Sequence, residues 1–282
     1  MTDLPVAFAG ERGAFAEDAI IAAFGDGERL ALGGFREVFE AVEAGKAAAG
    51  VMPVENSVNG TVREVYDLLL ERELRIVAEV VVPIELCLAT LPGQNLEDIE
   101  RVYSHTQALG QAERFLRGRP WTLLTTYNTA GSGKLIAERA EHGAAAVLSR
   151  RAAATFGLEI LAEAIQDVPD NRTRFFVVAP AGVSAADLVG DVASDGPART
   201  TLAFGIRNQP GTLLAALRCF AYRGVNLSSL ESRPSRTVAW EYVFFADLDA
   251  AADSSPVVAA LADLRPVSTM VRVLGSYRRG VG

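Results

Sequence analysis

Up to Pro180 the chain alternates short apolar runs with amphipathic stretches. Val6–Ala9 reads as a strand closed by Gly10, and Ala14–Phe24 as a helix with Phe15, Ala19, Ala22 and Ala23 on one face. Gly50–Met52 is a short buried strand ending at Pro53. After it, Val62, Val65, Tyr66 and Leu69 keep the i, i+3, i+4, i+7 spacing of a helix. Arg75–Thr90, rich in Val and Ile, is extended chain. Further strands are predicted at Val102–Tyr103, Thr122–Thr126, Ala145–Leu148 and Phe175–Val178. Helices are predicted at Ala108–Leu116, Leu135–Ala140 and Arg151–Phe156, the last closed by Gly157. Strand followed by helix, repeated, predicts an α/β domain with a mostly parallel sheet.

Pro180 to Arg199 is built from Ala, Gly, Ser, Asp and Pro with little periodicity and reads as a linker. Beyond it, Thr200–Asn208 is a strand, and Leu213, Leu217, Phe220 and Ala221 mark a helix ending near Gly224. Val225–Leu230 and Val238–Ala246 are strands, Ala250–Leu264 a helix and Ser268–Leu274 a last strand. The order βαββαβ is ferredoxin-like, and sheets this small often pair with another copy.

Composition adds exclusions. The chain is half hydrophobic and 22% charged, which suits a globular protein. Its 27 basic and 35 acidic residues give a net charge of −8. Arg150-Arg151 and Arg278-Arg279 are only pairs, so no basic face is expected for nucleic acid, and the acidity argues weakly against a membrane partner. The most apolar stretch, Ile76–Leu91, is interrupted by Glu79, Pro83 and Glu85 and is too charged to span a bilayer. The first residues show no basic start and no sustained apolar run, so a soluble cytoplasmic protein is expected. Cys87 and Cys219 lie far apart in apolar surroundings and read as free thiols. With His105 and His142 the only histidines, a His/Cys metal site is not expected, and His142 reads as a helix C-terminal cap.

The candidate chemistry sits at strand ends. Thr61–Glu64 and Ser104–Gln107 fit capping boxes, while Asn128–Gly133 and Gly10–Gly13 lead into helices through glycines. In open α/β sheets ligands bind beyond the carboxyl ends of strands, where helix N-termini offer free N–H groups to an anion. Four such ends predict a small anionic ligand held by amides and hydroxyls. A capping box alone is more often structural than functional. Gly131–Lys134 lacks the first glycine and the final Ser/Thr of a phosphate loop, and neither a dinucleotide fingerprint after the first strand nor a GxSxG elbow is present. Pro53–Val62 places five polar side chains between a strand and a helix, more than a plain connector needs, although turn chemistry also favours Asn and Gly there. Asn171–Phe175 sets a threonine hydroxyl and a guanidinium at a sheet end; otherwise it is a charged loop feeding the strand.

With these residues in hand the chain resembles the prephenate dehydratases over nearly its whole length. Gly10–Phe15 looks like the family's opening glycine motif. Pro53-Val-Glu-Asn-Ser57 with Gly60-Thr-Val62 matches the P-x-E-N-S-x-x-G-T-V signature. Ser104-His105 with Gln107-Ala-Leu109 and Gln111 matches a second motif, Thr129-Ala-Gly131 a third, and Asn171 with Thr173-Arg-Phe175 the T-R-F motif. Glu231-Ser-Arg-Pro234 and the Pro210-Gly211 helix start look like the phenylalanine-binding elements of the family's ACT domain. Thr106 stands where the family usually has Pro, Asn128 where it has Ser, and the usual alanines are replaced near Ser132 and Gly133.

The resemblance implies a two-lobed catalytic domain over 1–182, similar to type II periplasmic binding proteins, a linker over 183–198, and a regulatory ACT domain over 199–282. It implies a lyase that converts prephenate to phenylpyruvate, feedback regulation by L-phenylalanine, no cofactor or metal, and a homodimer or homotetramer. An arogenate dehydratase, or an inactive amino-acid sensor on the same scaffold, is the alternative. Carried onto this chain, Thr173, Glu55, Asn56, Ser104 and Gln107 are the expected catalytic residues. Ser57, Thr129, Ala130, Arg174 and Phe175 are expected to bind substrate. Pro210, Gly211, Thr212, Leu213, Asn226, Leu227, Glu231, Ser232 and Arg233 are expected at the effector site. Thr173 is expected to serve the leaving hydroxyl, with Glu55 as a neighbour for proton relay or for orienting Asn56, and His105 is expected to position or pack rather than act as an acid.

Overall fold

A computed structural model describes residues 4–188, 196–235 and 241–280. They group into two compact units, Thr2–Val65 with Val81–Phe175, and Tyr66–Val80 with Phe176–Val281. Positions 189–195 of the expected linker and 238–240 of an expected strand lie outside the described residues. Among the described residues no helix is long and apolar enough to cross a membrane. Cys87 and Cys219 are free thiols, and burial pushes both above the usual range.

The first unit holds two sheets. In one, β1 (Val6–Ala9) lies parallel between β2 (Arg29–Leu32) and β3 (Ala49–Asn56), with Phe8 opposite Ala31 and Val51. Helices α1 (Phe15–Phe24) and α2 (Phe35–Glu43) follow β1 and β2. The short β4 (Gly60–Thr61) folds back on β3, and α3 (Arg63–Glu71) follows it, leading to β5 (Arg75–Pro83).

The second sheet runs β10 (Glu159–Ala162), β6 (Cys87–Thr90), β9 (Ala144–Leu148), β7 (Arg101–Ser104), β8 (Thr122–Thr125). Its helices are α4 (Thr106–Gln111), α5 (Glu113–Leu116), α6 (Thr129–Arg139) and α7 (Arg150–Thr155). β7 is parallel to β8 and β9, but β6 runs against both its neighbours. The sheet is therefore mixed rather than mostly parallel, because the strand that carries the chain in opposes the strands beside it. The single helix expected over Ala108–Leu116 breaks at Ala112.

Helix α6 begins at Thr129, ahead of the expected Leu135, and the glycines that made this stretch look like a loop are packing residues. β9 is wholly buried and built mainly of alanine, so the helix can lie close to it. A Cβ on Gly133 would stand 2.7 Å from a methyl of Leu148. Gly133→Ala is expected to cost about 1–3 kcal/mol through overpacking, read as a lower urea midpoint. An unchanged midpoint would mean that α6 shifts freely on the sheet.

The second unit contains β12 (Ala198–Ile206), α9 (Thr212–Ala221), β13 (Leu227–Pro234), β14 (Tyr242–Leu248), α10 (Ser255–Leu264) and β15 (Met270–Arg278) in the order βαββαβ. The strands pair antiparallel as β13-β14-β12-β15, the ferredoxin-like arrangement expected. Phe204 stacks on Phe244 with ring centroids 5.4 Å apart, and Phe220, Leu261 and Leu264 complete the core beneath the helices. β5 lies parallel beside β15 through Ile76 and Gly275. Next to that seam is a buried ion pair. Arg199 Nη1 donates to both carboxylate oxygens of Glu79, at 3.2 and 2.9 Å, and Glu79 is 1% exposed.

Candidate active site

Strand β11 (Arg172–Ala179) sets the chemistry by its alternation. Thr173 and Phe175 are buried and face a pocket in the first unit, whereas Arg172 and Arg174 are only half-buried and point the other way. The pocket encloses about 810 Å³. The four strand ends singled out in the sequence converge on it. Gly10 and Gly13, Thr61, Gln107, and Asn128 with Thr129 all line its wall.

Thr173 is held by the Asn56 amide. Its Oγ1 accepts a hydrogen bond from Asn56 Nδ2 at 3.0 Å, which leaves the hydroxyl proton free to be donated. Asn56 is itself oriented, because its Oδ1 accepts from the backbone N–H of Val58 and Asn59 at 3.0 and 2.9 Å, fixing the turn before β4. Asn56 Nδ2 also donates to Asn171 Oδ1 at 2.7 Å, Asn171 Nδ2 donates to Gln111 Oε1 at 2.9 Å, and Gln111 Nε2 reaches Asn56 Oδ1 at 3.5 Å. These three amides close a ring behind the threonine. Asn171 is 2% exposed, so the ring is protected from water on that side. Asn171 and Gln111 were not among the expected catalytic residues. The readable signal was Gln107 and Gln111 at i, i+4, on one helix face.

Helix starts supply the rest of the wall. His105 caps α4, its Nδ1 accepting from Gln107 N at 3.3 Å. The cap is therefore His105 and not the expected Ser104. Asn128 caps α6, its Oδ1 accepting from Gly131 N at 2.5 Å, so a cap is kept at this departure from the family pattern. Beside it, Tyr127 donates to Glu11 at 2.9 Å, and Glu11 also holds Lys134 at 3.1 Å. Burial and the Glu11 carboxylate push the Tyr127 phenol up to about 12, so it remains a donor through the physiological range. Among the described residues no cluster of three His, Cys, Asp or Glu is placed to hold a metal ion.

Of the residues expected here, Thr173, Asn56, Gln107, Thr129, Ala130 and Phe175 line one pocket. Four do not. Ser104 is fully buried and donates to Val147 O at 2.6 Å, because β7 alternation puts it on the same inward face as Val102. Ser57 accepts from Arg172 N at 3.0 Å and ties the turn to β11. Glu55 and Arg174 pair with each other at 3.3 Å, so Glu55 is engaged by a guanidinium and is not placed as a relay to Thr173.

The expected effector residues fall at two ends of the ferredoxin-like sheet. Pro210–Leu213 begin α9, where Gly211 holds φ 85°. Pro234 and Ile206 both pair with Tyr242, so Glu231, Ser232 and Arg233 lie toward that same end. Leu227 and Thr200 both pair with Leu248, which places Asn226 and Leu227 at the opposite end. The ten-residue α9 separates the two groups by about 15 Å within one copy. Arg233 is engaged by Asp67 of α3 at 2.8 Å, and Asn226 donates to Asp249 at 2.6 Å. Burial raises the Asp249 carboxyl, but hydrogen bonds from Asn226 and Ser228 and the Arg199 charge outweigh it and hold it below the usual carboxylate range.

Comparison with known proteins assigns both regions. Residues 6–182 match the family described as prephenate dehydratase, and residues 200–266 match the ACT domain. The chain is 36% identical over 281 residues to a bifunctional chorismate mutase/prephenate dehydratase of Aquifex aeolicus, covering 99% of this chain and 74% of that one. It is 37% identical to arogenate dehydratase 2 of Petunia hybrida, covering 97% and 71%. A prephenate dehydratase of Arthrobacter aurescens in complex with L-Phe superposes with a TM-score of 0.86 at 35% identity, over 98% of this chain and 90% of that one. GqqA, described as a novel type of quorum quenching acylase, superposes with a TM-score of 0.87 at 31% identity over 98% of both chains. A family match spanning the whole pocket, joined to near full-length likeness, means that this chain belongs to the prephenate dehydratase family.

Proposed function

We propose that Thr173 donates the hydrogen bond that carries off the leaving hydroxyl in this lyase's reaction, the conversion of prephenate to phenylpyruvate. In that reaction the bond from ring to carboxylate breaks, its electron pair enters the ring diene, and the ring C–O bond breaks as the ring becomes aromatic. Hydroxide is a poor leaving group, so a donor aimed at that oxygen lowers the barrier. Threonine is too weak an acid to surrender its proton outright at neutral pH, and a preorganised hydrogen bond is the chemistry open to it. The observation that carries this reading is the Asn56 Nδ2 to Thr173 Oγ1 bond of 3.0 Å, which fills the acceptor side of the hydroxyl and leaves its donor side for substrate. The ring diene is the electron sink, so no cofactor is needed.

The catalytic domain is assigned to 1–182, the linker to 183–198 and the ACT domain to 199–282, in a cytoplasmic protein. L-phenylalanine is assigned to the ACT domain as a feedback inhibitor. The separation of Pro210–Leu213 from Asn226–Leu227 by α9 supports the reading that an effector site draws one group from each of two paired copies, in at least a dimer. The test is phenylpyruvate formation from prephenate in chelator-treated buffer, with and without L-phenylalanine. Turnover suppressed by phenylalanine is expected. Turnover indifferent to phenylalanine would remove the regulatory assignment, and no turnover would remove the catalytic one. The 37% identity to an arogenate dehydratase supports a second substrate reading, decided by offering arogenate in the same assay.

A further inference from the structure

The pocket must hold a dianion, yet among the described residues of its wall the only Asp, Glu, Lys or Arg side chains are Arg63 and its neighbour Glu64, both solvent-exposed. Among the described residues the only arginine or lysine in that wall is Arg63, the first residue of α3. Neighbouring cations are committed elsewhere. Lys134 is held by Glu11, Arg174 by Glu55, Arg172 by Asp170 and Arg151 by Asp18. The Arg63 side chain makes no hydrogen bond or ion pair with any described residue, and the residue is exposed. Its position is also locally unfavourable, since a cation in the first turn of a helix opposes the helix dipole, at a cost of a few tenths of a kcal/mol at a solvated site. A solvent-exposed guanidinium with no partner among the described residues, on a residue that lines the pocket, is suited to an anion that arrives with the substrate.

We propose that Arg63 binds the side-chain carboxylate of the substrate, the carboxylate that survives into phenylpyruvate. The assignment rests on the reading that this pocket takes prephenate. The choice between the two carboxylates follows from the electron flow. A guanidinium on the ring carboxylate would stabilise charge that has to leave for the ring, and would favour the ground state over the transition state. On the side-chain carboxylate it binds ground state and transition state alike, so it contributes affinity without opposing the chemistry.

The test compares the full-length wild type with Arg63→Gln and Arg63→Lys. Steady-state kinetics on prephenate are measured together with calorimetric titration of phenylpyruvate, which needs no turnover. Arg63→Gln is expected to raise KM for prephenate about tenfold, the loss of one charge-assisted hydrogen bond at an exposed site, with the effect falling on KM rather than kcat. Phenylpyruvate binding is expected to weaken by the same factor, and Arg63→Lys to recover part of both. Unchanged phenylpyruvate binding in Arg63→Gln would overturn the proposal, whatever happens to kcat. A wild type that binds phenylpyruvate through Arg63 but does not turn prephenate over would keep this assignment and remove the dehydratase reading instead.

Discussion

Thr173→Val is expected to lower kcat on prephenate by about a hundred- to a thousandfold, the usual loss when one preorganised donor is removed from a developing oxyanion. Valine keeps the shape of threonine and its β-strand preference, so the strand is retained. The Asn56 amide is not orphaned, because Nδ2 also reaches Asn171 Oδ1 and the Arg172 carbonyl, at 2.7 and 3.1 Å. The loss therefore falls on kcat while KM stays within a few-fold, as for an interaction made mainly in the transition state. Thr173→Ser keeps the hydroxyl and is expected to recover most of the rate. A Thr173→Val enzyme within threefold of wild type would show that another group serves the leaving oxygen.

Arg199→Met is expected to give the largest loss of stability. Arg199 and Glu79 are 5% and 1% exposed, and the guanidinium holds both oxygens of the carboxylate. Removing one member of a buried pair strands the other charge, at a cost of about 3–5 kcal/mol. Arg199→Met with Glu79→Leu removes both charges and is expected to recover most of that loss, since apolar replacements of similar volume often equal a buried pair. Urea denaturation of the single and double variants decides it. A single variant within about 1 kcal/mol of wild type would mean that water reaches the carboxylate and the pair is not truly desolvated.

Most of the βαββαβ unit was legible, because its strands and helices carry clean periodicities and glycine stops. In the first unit the losses have physical causes. α2 carries Phe35, Val38, Phe39 and Val42 at helical spacing, but flanking glycines and a short length hid it, along with β2. The start of α6 was hidden because its glycines, which look like loop residues, are there to let the helix lie on β9. Among the residues that line the pocket, Asn56 at the end of β3 and the helix starts at Gln107 and Thr129 were legible from their motifs. Of the four that do not line it, Glu55, Ser104 and Arg174 sit in strands and Ser57 in the turn after β3. Ser104 and Arg174 belong to the right motifs but to the wrong side of β7 and β11, and a motif lists neighbours in sequence without saying which way each faces.

That alternation also sets what kinds of change the active site can survive. Thr173 and Phe175 reach the pocket only because they are an odd pair in a strand whose even positions carry Arg172 and Arg174. Insertion of a single residue between Asn171 and Thr173 would exchange the two sets, presenting a guanidinium to the pocket and turning the hydroxyl toward Glu55. Deletion of a single residue does the same. A two-residue change restores the facing but draws Thr173 away from the Asn56 amide. The segment can therefore drift by substitution at Arg172 or Arg174 while its length stays fixed, so indels should be missing from this stretch even where its sequence varies.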